Sequence, residues 1–333
     1  MSNAPLIDNH GRLVNYLRLA VTDRCNLRCF YCMPAKGVRF LKNVELLSLA
    51  EQKRMLLIMK QLGVHKIRIT GGEPFVYTHI EALFDFIASE IQPQTLHLTT
   101  NGVLTGKFLP KFKDWGLKSV NLSLDSTNTA TFEQMSRRND FASVWQTLMQ
   151  LLDMGIALKL NAVITAGVND AELIPLALLA RDYPLDVRFI EEMPFNGVGA
   201  REQSLWWDYK RLKNTLNEAL GELTPLPAEP NATAVRFAVE GFKGNIGIIA
   251  AFSRTFCGSC NRLRVTANGT LKTCLYDDGV LSVRDLLRQY SDDEIIAQKI
   301  RAAVSRRAKD GFEAEKNRLT NPKISESMTL IGG

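Results

Sequence analysis

The sequence contains no long apolar run, and its 333 residues include only four histidines and six cysteines. No uninterrupted apolar stretch approaches the roughly 20 residues that a membrane-spanning helix needs. The N-terminal segment, MSNAPLIDNHGRLVNY, has no apolar signal core. We therefore predict a cytoplasmic protein without a membrane partner. In that compartment thiols stay reduced, and clustered cysteines more often bind metal than pair as disulfides.

A phosphate-binding loop of the P-loop type is also absent, because GVLTGK at 102–107 has the wrong spacing and composition. The net charge of +6 is modest. Much of the basic excess lies in KIRAAVSRRAKD at 299–310, for which we predict one helix with a solvated basic face. Binding of an anionic substrate or of nucleic acid by this segment is the alternative. Basic and aromatic residues are not interleaved, so we expect no nucleic-acid partner.

Short β-branched runs alternate with amphipathic segments through the first two thirds of the chain. The predicted strands are YLRLAV (16–21), HKIRIT (65–70), TLHLTT (95–100), KSVNLSL (118–124), ALKLNAV (157–163) and LDVRFI (185–190). Ser48 and Glu51 predict a capping box at the start of a helix over 47–63, which Gly63 ends. This alternation indicates parallel βαβ units. A six-unit open barrel and a doubly wound sheet both fit, and both bind ligands at the C-terminal ends of their strands.

The chain is longer than one core usually covers, and its character changes after about residue 215. Residues 223–234, LTPLPAEPNATA, are rich in proline, and short predicted strands with glycine turns follow them. We therefore predict a larger α/β domain over residues 1–215 and a small α+β domain over residues 216–333.

Three of the cysteines, Cys25, Cys29 and Cys32, follow the first predicted strand with the spacing C-x3-C-x2-C. A structural zinc site needs four protein ligands, and neither His10 nor His65 lies at ligand spacing. A [4Fe–4S] cluster usually takes one thiolate per iron. Three thiolates would leave one iron open to an exogenous ligand such as S-adenosylmethionine (SAM), which radical chemistry requires.

The other three cysteines, Cys257, Cys260 and Cys274, repeat this pattern, and no histidine follows His97 to complete a zinc site. Asp277 or Asp278 could serve as a fourth zinc ligand, so zinc stays an alternative. Otherwise this second triad predicts a second [4Fe–4S] cluster whose open iron holds the substrate. Basic residues predicted to converge on the same cleft would bind a polyphosphate. These residues are Arg18, Arg68, Lys159, Arg262 and Arg264.

The first triad resembles the radical SAM signature, since CNLRCFYC matches C-x3-C-x-aromatic-C. A second element of that family, ITGGEP at 69–74, follows the second predicted strand, and Glu73 is expected to order its loop. The resemblance implies that SAM contacts four residues of this chain. They are Tyr31, Gly72, Ser123 and Met193.

Along nearly its whole length the chain resembles the GTP 3′,8-cyclase family of molybdenum cofactor biosynthesis. The shared stretches are YLRLAVTDRCNLRCFYCMP, KIRITGGEP, LTTNG, NLSLDS, FIEEMPF, FCGSCNRLRV and the terminal IGG. This resemblance implies a partly open (β/α)6 TIM-like radical SAM barrel, whose mouth is closed by a smaller C-terminal α+β domain with a second Fe–S cluster. The segment FVYTH after GGEP departs from the family, which commonly has basic residues there.

The activity implied is that of a lyase that cyclises GTP to (8S)-3′,8-cyclo-7,8-dihydroguanosine 5′-triphosphate with SAM and two [4Fe–4S] clusters. A deoxyadenosyl radical would abstract the C3′ hydrogen, and the sugar radical would attack C8 of guanine. The tail residues Gly332 and Gly333 are expected to reach the active site. The GTP contacts implied are Arg18, Arg68, Thr99, Lys159, Arg262, Leu263 and Arg264.

The partners implied are GTP, a reducing electron donor and the next enzyme of the molybdopterin pathway, and a homodimer stays open. Two alternatives remain at this point. One is another radical SAM enzyme with an auxiliary cluster, of the peptide maturase type. The other is a zinc-bound interaction module.

Overall fold

The protein is described by a computed structural model that covers residues 5–34, 36–193, 207–253, 256–319 and 327–332. Its β-strands are β1 Tyr16–Ala20, β2 Lys66–Thr70, β3 Thr95–Thr100, β4 Leu117–Ser123, β5 Ala157–Ile164, β6 Asp186–Glu191, β7 Thr224–Pro225, β8 Ala234–Ala238, β9 Asn245–Ile249, β10 Arg262–Val265, β11 Thr270–Lys272 and β12 Leu281–Ser282. Its α-helices are α1 Leu49–Gln61, α2 Ile80–Phe86, α3 Thr129–Ser136, α4 Phe141–Asp153, α5 Leu173–Asp182, α6 Tyr209–Leu220, α7 Val283–Gln289, α8 Asp293–Val304, α9 Gly311–Leu319 and α10 Met328–Ile331.

The first six strands lie side by side in chain order, and every neighbouring pair among them is parallel. All six strand predictions are confirmed to within a residue at each end. A doubly wound sheet would reverse its strand order at a switch point. The consecutive order therefore selects the barrel-type alternative, and the sheet extends beyond β1 and β6 instead of closing on itself.

The strands of the C-terminal third join both edges of this sheet. The strand β10 pairs with β1 in parallel, and β9 pairs with β6 in parallel. The order from edge to edge is β12-β11-β10-β1-β2-β3-β4-β5-β6-β9-β8-β7. The division of the chain at residues 215 and 216 stays a prediction, and α6 runs through that point.

The helix α1 shows how local sequence and packing agree. Ser48 accepts a hydrogen bond from the Glu51 amide, and the Glu51 carboxylate accepts one from the Ser48 amide, so the predicted capping box is confirmed. Three side chains of this helix, those of Met55, Leu56 and Ile58, are fully buried. Burial of each such side chain contributes roughly 1.5–3 kcal/mol. The other side of α1 packs on α7 and α8.

The predicted helix over 299–310 is wrong in its second half. The helix α8 ends at Val304, and Ser305 caps it. Beyond the cap, Arg307 turns inward and is only 4% exposed. Its contacts with the second cysteine triad require an irregular backbone at this point, as described below. None of the helices in the described ranges is long and apolar enough to cross a membrane.

Candidate functional site

A cavity of about 390 Å³ lies at the C-terminal ends of the central strands, and both cysteine triads line it. The loop after β1 supplies the first triad. The second comes from the turn before β10 and the residue two positions after β11. All six cysteines are free thiols and are partly exposed. The fold thus brings two triads that are far apart in sequence to one site.

Buried carboxylates act on the first triad, and the nearby Arg28 opposes them more weakly. The side-chain amide of Asn101 donates to Cys25 Sγ at 3.6 Å. Burial raises the pKa of the Cys25 thiol to about 12, and the nearby Glu73 carboxylate adds to this effect. Burial also raises the pKa of the Cys29 thiol well above its ordinary value, with Cys32 and Asp125 contributing. A bound metal is what would hold such thiols as thiolates.

Tyr31, between the second and third cysteines, anchors this loop to the sheet. Its hydroxyl donates to Asp125 Oδ2 at 2.6 Å, and Asp125 Oδ1 accepts from the amide of Val163 at 2.8 Å. Burial raises the pKa of Asp125 to about 6. The cysteine loop is therefore attached to the ends of β4 and β5.

The GGEP loop after β2 packs directly under the first triad. A Cβ on Gly72 would stand 2.3 Å from the main-chain oxygen of Arg24, so only glycine fits there. The buried Glu73 carboxylate accepts from Thr100 Oγ1 at 2.8 Å and from the amides of Phe75 and Asn101 at 3.1 and 2.7 Å. Burial raises the pKa of Glu73 to about 7. These bonds order the loop as expected.

The four residues predicted to contact SAM all line the cavity. Ser123 ends β4, and Met193 follows β6. Their roles stay predictions, because the structure shows position and not binding.

The basic residues predicted to bind a polyphosphate also line the cavity, and strand register explains why. Arg18 on β1 lies between Arg68 on β2 and Arg264 on β10. Arg68 is held by Tyr16 Oη at 2.6 Å and by the Leu98 carbonyl at 3.0 Å. Burial lowers the pKa of Arg18, and Arg264 lowers it further by repulsion. Burial and Arg188 lower the pKa of Lys159 to about 8.

Other residues of this cavity were missed from the sequence. Lys66, Arg188 and Arg236 also line its wall, and Asp186 forms ion pairs with both of these arginines. Asn121 Oδ1 and Asn161 Oδ1 are buried at the cavity without a hydrogen-bond partner among the described residues. Lys66, Asn121, Asn161 and Arg188 lie inside predicted strands, and a period-two pattern counted from Lys159 would have found Asn161.

The second triad lies among arginines. Cys260 Sγ accepts from Arg307 Nη2 at 3.0 Å and from Arg262 Nη1 at 3.6 Å. Burial alone would raise the pKa of the Cys260 thiol, but these two cations bring it below its ordinary value. Burial raises the pKa of Cys274 to about 11. The two triads therefore face one cavity, and they differ in that carboxylates act on Cys25 and Cys29 whereas arginines act on Cys260.

The carboxylates proposed as zinc ligands are engaged elsewhere. Asp277 Oδ2 accepts from the amides of Thr273 and Cys274, both at 2.8 Å, and Asp277 Oδ1 accepts from Gly279. Asp278 lies 3.9 Å from Arg318. Within the part of the chain that the structure describes, no group of three His, Cys, Asp or Glu residues is arranged for a single metal ion.

The remaining predicted contacts differ in position. Thr99 lines the cavity, whereas the Leu263 side chain is fully buried in the hydrophobic core. The Gly332 carbonyl accepts from Arg264 Nη1 at 3.0 Å, and Ser327 Oγ donates to the Cys32 carbonyl at 3.1 Å. The tail therefore connects the second triad's strand to the first triad's loop. Gly333 lies outside the described residues.

Two families match consecutive parts of the chain: the radical SAM superfamily over residues 19–180 and Molybdenum Cofactor Synthesis C over residues 185–312. The crystal structure of Streptococcus suis SuiB bound to S-adenosylmethionine has the same fold, with a TM-score of 0.62 at 16% identity, over 88% of this chain and 69% of that one.

Curated relatives extend the match. The Bos taurus molybdenum cofactor biosynthesis protein 1 is 39% identical over 92% of this chain, which spans only 48% of that longer relative. The GTP 3′,8-cyclase of Moorella thermoacetica is 38% identical over 98% of this chain and 99% of its own length. Since the second match covers both proteins almost completely, the chain belongs to the GTP 3′,8-cyclase family of radical SAM proteins.

Proposed function

We propose that this chain is a GTP 3′,8-cyclase that acts in molybdenum cofactor biosynthesis with SAM and two [4Fe–4S] clusters. One observation carries the proposal: two three-thiol triads and a group of buried cations line a single cavity. The full-length similarity to a curated GTP 3′,8-cyclase supports it.

The residues present fit iron–sulfur clusters by their donor chemistry. Each triad offers three thiols to the cavity, and three thiols leave one iron of a [4Fe–4S] cluster open. When bound, the first cluster and SAM would supply a deoxyadenosyl radical for abstraction of the ribose C3′ hydrogen. Cys25, Cys29 and Cys32 would hold that cluster, and Cys257, Cys260 and Cys274 would hold the second.

The chain itself orients SAM. Gly72 exposes its main chain where a side chain cannot fit, and Glu73 keeps this loop against the end of β3. Tyr31, Ser123 and Met193 complete the predicted contacts. The Asn161 oxygen adds an acceptor that has no hydrogen-bond partner within the described ranges.

The chain would hold GTP between the second triad and the cationic wall. Guanidinium groups bind phosphate oxygens in pairs, and this wall presents several of them on adjacent strands. Burial lowers the pKa of Arg18 and of Lys159, and repulsion from the neighbouring cations lowers both further. A polyanion would relieve that repulsion, so the site is built for a charged substrate. The proposed contacts are the side chains of Arg18, Arg68, Thr99, Lys159, Arg262 and Arg264. Leu263 can contribute only its main chain, because its side chain lies in the hydrophobic core.

We further propose residues 1–215 as the SAM domain and residues 216–333 as the substrate domain. A reducing protein would donate electrons, and the next enzyme of the molybdopterin pathway would take the product. A cytoplasmic location stays a prediction.

The test is anaerobic incubation of reconstituted protein with SAM, a reductant and GTP. We expect both deoxyadenosine and a cyclised nucleotide triphosphate. Metal analysis comes first: about eight iron atoms per chain supports two clusters, and about four with one zinc supports the zinc alternative. Absence of both organic products from protein with full iron content would refute the cyclase assignment.

A further inference from the structure

Arg307 makes an unusual set of contacts at the second triad. It is 4% exposed and lies three residues after the end of α8. Its Nη1 donates to the Cys260 carbonyl at 2.7 Å. Its Nη2 donates to Cys260 Sγ at 3.0 Å and to the Arg262 carbonyl at 3.2 Å. One guanidinium therefore holds both the main chain and the sulfur of the same cysteine.

A buried ion pair from the N-terminal segment, Asp8 with Arg12, lies next to Arg307. Asp8 Oδ2 lies 2.6 Å from Arg12 Nε and 3.6 Å from Arg307 Nη1. Arg12 Nη1 donates to the Cys257 carbonyl at 3.2 Å, and Arg12 Nη2 donates to the Ala308 carbonyl at 2.9 Å. His10 Nε2 contacts the Arg307 carbonyl at 3.0 Å. The segment thus fastens Arg307 and the cysteine turn to each other.

Carbonyls and a carboxylate would be enough to satisfy a buried arginine. Arg54 shows this for a half-buried guanidinium, because it donates to Asp293 and to the carbonyls of Leu287 and Tyr290, and its hydrogen-bond partners among the described residues include no sulfur. The contact with Cys260 Sγ is therefore additional. An N–H donor and a fixed positive charge at a cluster thiolate favour the state with more negative charge, which is the reduced one.

We propose that Arg307 is a positioning residue of the second iron–sulfur site, where it donates a hydrogen bond to the Cys260 thiolate and raises the reduction potential of the cluster. This inference rests on the second cluster of the proposed function. Asp8 and Arg12 hold Arg307 in place. The change in reduction potential does not depend on GTP or SAM, because Arg307 acts on Cys260, which is the protein's own ligand to the cluster.

The test isolates the second cluster in the full-length chain by the substitutions Cys25→Ala, Cys29→Ala and Cys32→Ala. Arg307→Met and Arg307→Lys are added to this background. Arg54→Met controls for loss of a half-buried, hydrogen-bonded guanidinium, and Arg306→Met controls for loss of the neighbouring exposed charge. Iron and sulfide content and the thermal unfolding midpoint are measured for each protein. The midpoint potential follows from dithionite titration monitored by electron paramagnetic resonance, without SAM or GTP.

We expect Arg307→Met to keep its iron and to lower the reduced-to-oxidised ratio about tenfold at a fixed potential, which equals a shift of about 59 mV for one electron. Arg307→Lys should recover most of this shift, because it keeps the charge. Arg54→Met should lower the unfolding midpoint without moving the potential, and Arg306→Met should change neither.

An unchanged potential in Arg307→Met with about four iron atoms bound would overturn the inference and leave the cyclase proposal intact. A shift of equal size in Arg54→Met would also overturn it, because the effect would then follow from destabilisation. Absence of iron from the background protein itself would overturn the second cluster, and with it both proposals.

Discussion

The two cysteine triads have the same number of thiols and face the same cavity, but carboxylates act on Cys25 and Cys29 of the first whereas arginines act on Cys260 of the second. Buried Glu73 and Asp125 raise the pKa of the first triad's thiols, on top of the effect of burial. Arg262 and Arg307 donate to a sulfur of the second triad. This difference matches the proposed ligands: SAM carries a sulfonium cation, and GTP carries a triphosphate. In the proposed function, the residues around the thiols would therefore distinguish the two cluster sites.

The largest expected effect separates the two triads by removal of one thiol from each. Cys32→Ala should lower iron from about eight to about four atoms per chain and abolish deoxyadenosine formation. Cys274→Ala should also lose about four iron atoms per chain, in this case from the second cluster. It should keep deoxyadenosine formation but abolish GTP cyclisation. Iron analysis and chromatography of the anaerobic reaction check both variants. If both variants lose deoxyadenosine formation equally, the proposed division of labour is wrong.

The second effect concerns pH, because the pKa of Lys159 is lowered to about 8. A protonated Lys159 attracts the triphosphate, so the affinity for GTP should fall as pH rises through about 8. Lys159→Met should weaken GTP binding roughly tenfold at neutral pH, since a charged hydrogen bond contributes about 1.5–3 kcal/mol. Anaerobic calorimetry at several pH values measures this.

Lys159→Arg is the matched control for that titration, because arginine keeps its charge throughout the range. It should bind GTP at neutral pH and lose the decline near pH 8. A decline that persists unchanged in Lys159→Arg would show that another group titrates.

The third effect compares a glycine in each cysteine-bearing region. Gly72→Ala places a Cβ 2.3 Å from the Arg24 oxygen, so the loop under the first triad must shift, at a cost of about 1–3 kcal/mol. We expect SAM affinity to fall about tenfold. Gly258→Ala, in the second triad, meets no atom within 4 Å and should leave SAM binding unchanged. Equal losses in both variants would argue against a tight SAM loop.

The smallest effect is expected at Arg306, which is exposed beside the buried Arg307. Arg306→Met should change the free energy of unfolding by less than about 0.5 kcal/mol. Denaturant titration measures this value. A larger loss would mean that the basic segment after α8 has a structural role beyond Arg307.

Much of the fold could be predicted because its signals are local. The six central strands are short β-branched runs, and their predicted ends agree with the structure. The capping box at Ser48 depends on residues three positions apart. The cysteine spacing likewise lies within two short segments. The choice between a barrel and a doubly wound sheet could not be made from periodicity, because both folds use the same alternation.

The prediction of a helix over 299–310 was wrong beyond Val304, because the contact that decides the backbone there is not local. Its basic residues fit an exposed helical face, but Arg307 donates to Cys260, which lies far away in the chain. Lys66, Arg188 and Arg236 were missed in the same way, because each lies on a strand whose neighbours in the sheet determine which cavity its side chain lines. Such contacts have no signature within a short window of sequence.

The sequence by itself determined the two sets of three thiols, the order of the strands along the chain and the family resemblance, because spacing and residue chemistry are local properties. Only the tertiary structure decided that both triads open into one cavity, that β10 places Arg264 beside Arg18, and that carboxylates act on the first triad whereas arginines act on Cys260 of the second. The physical reason is that charge and burial act through space, and the pairing of distant strands sets those distances.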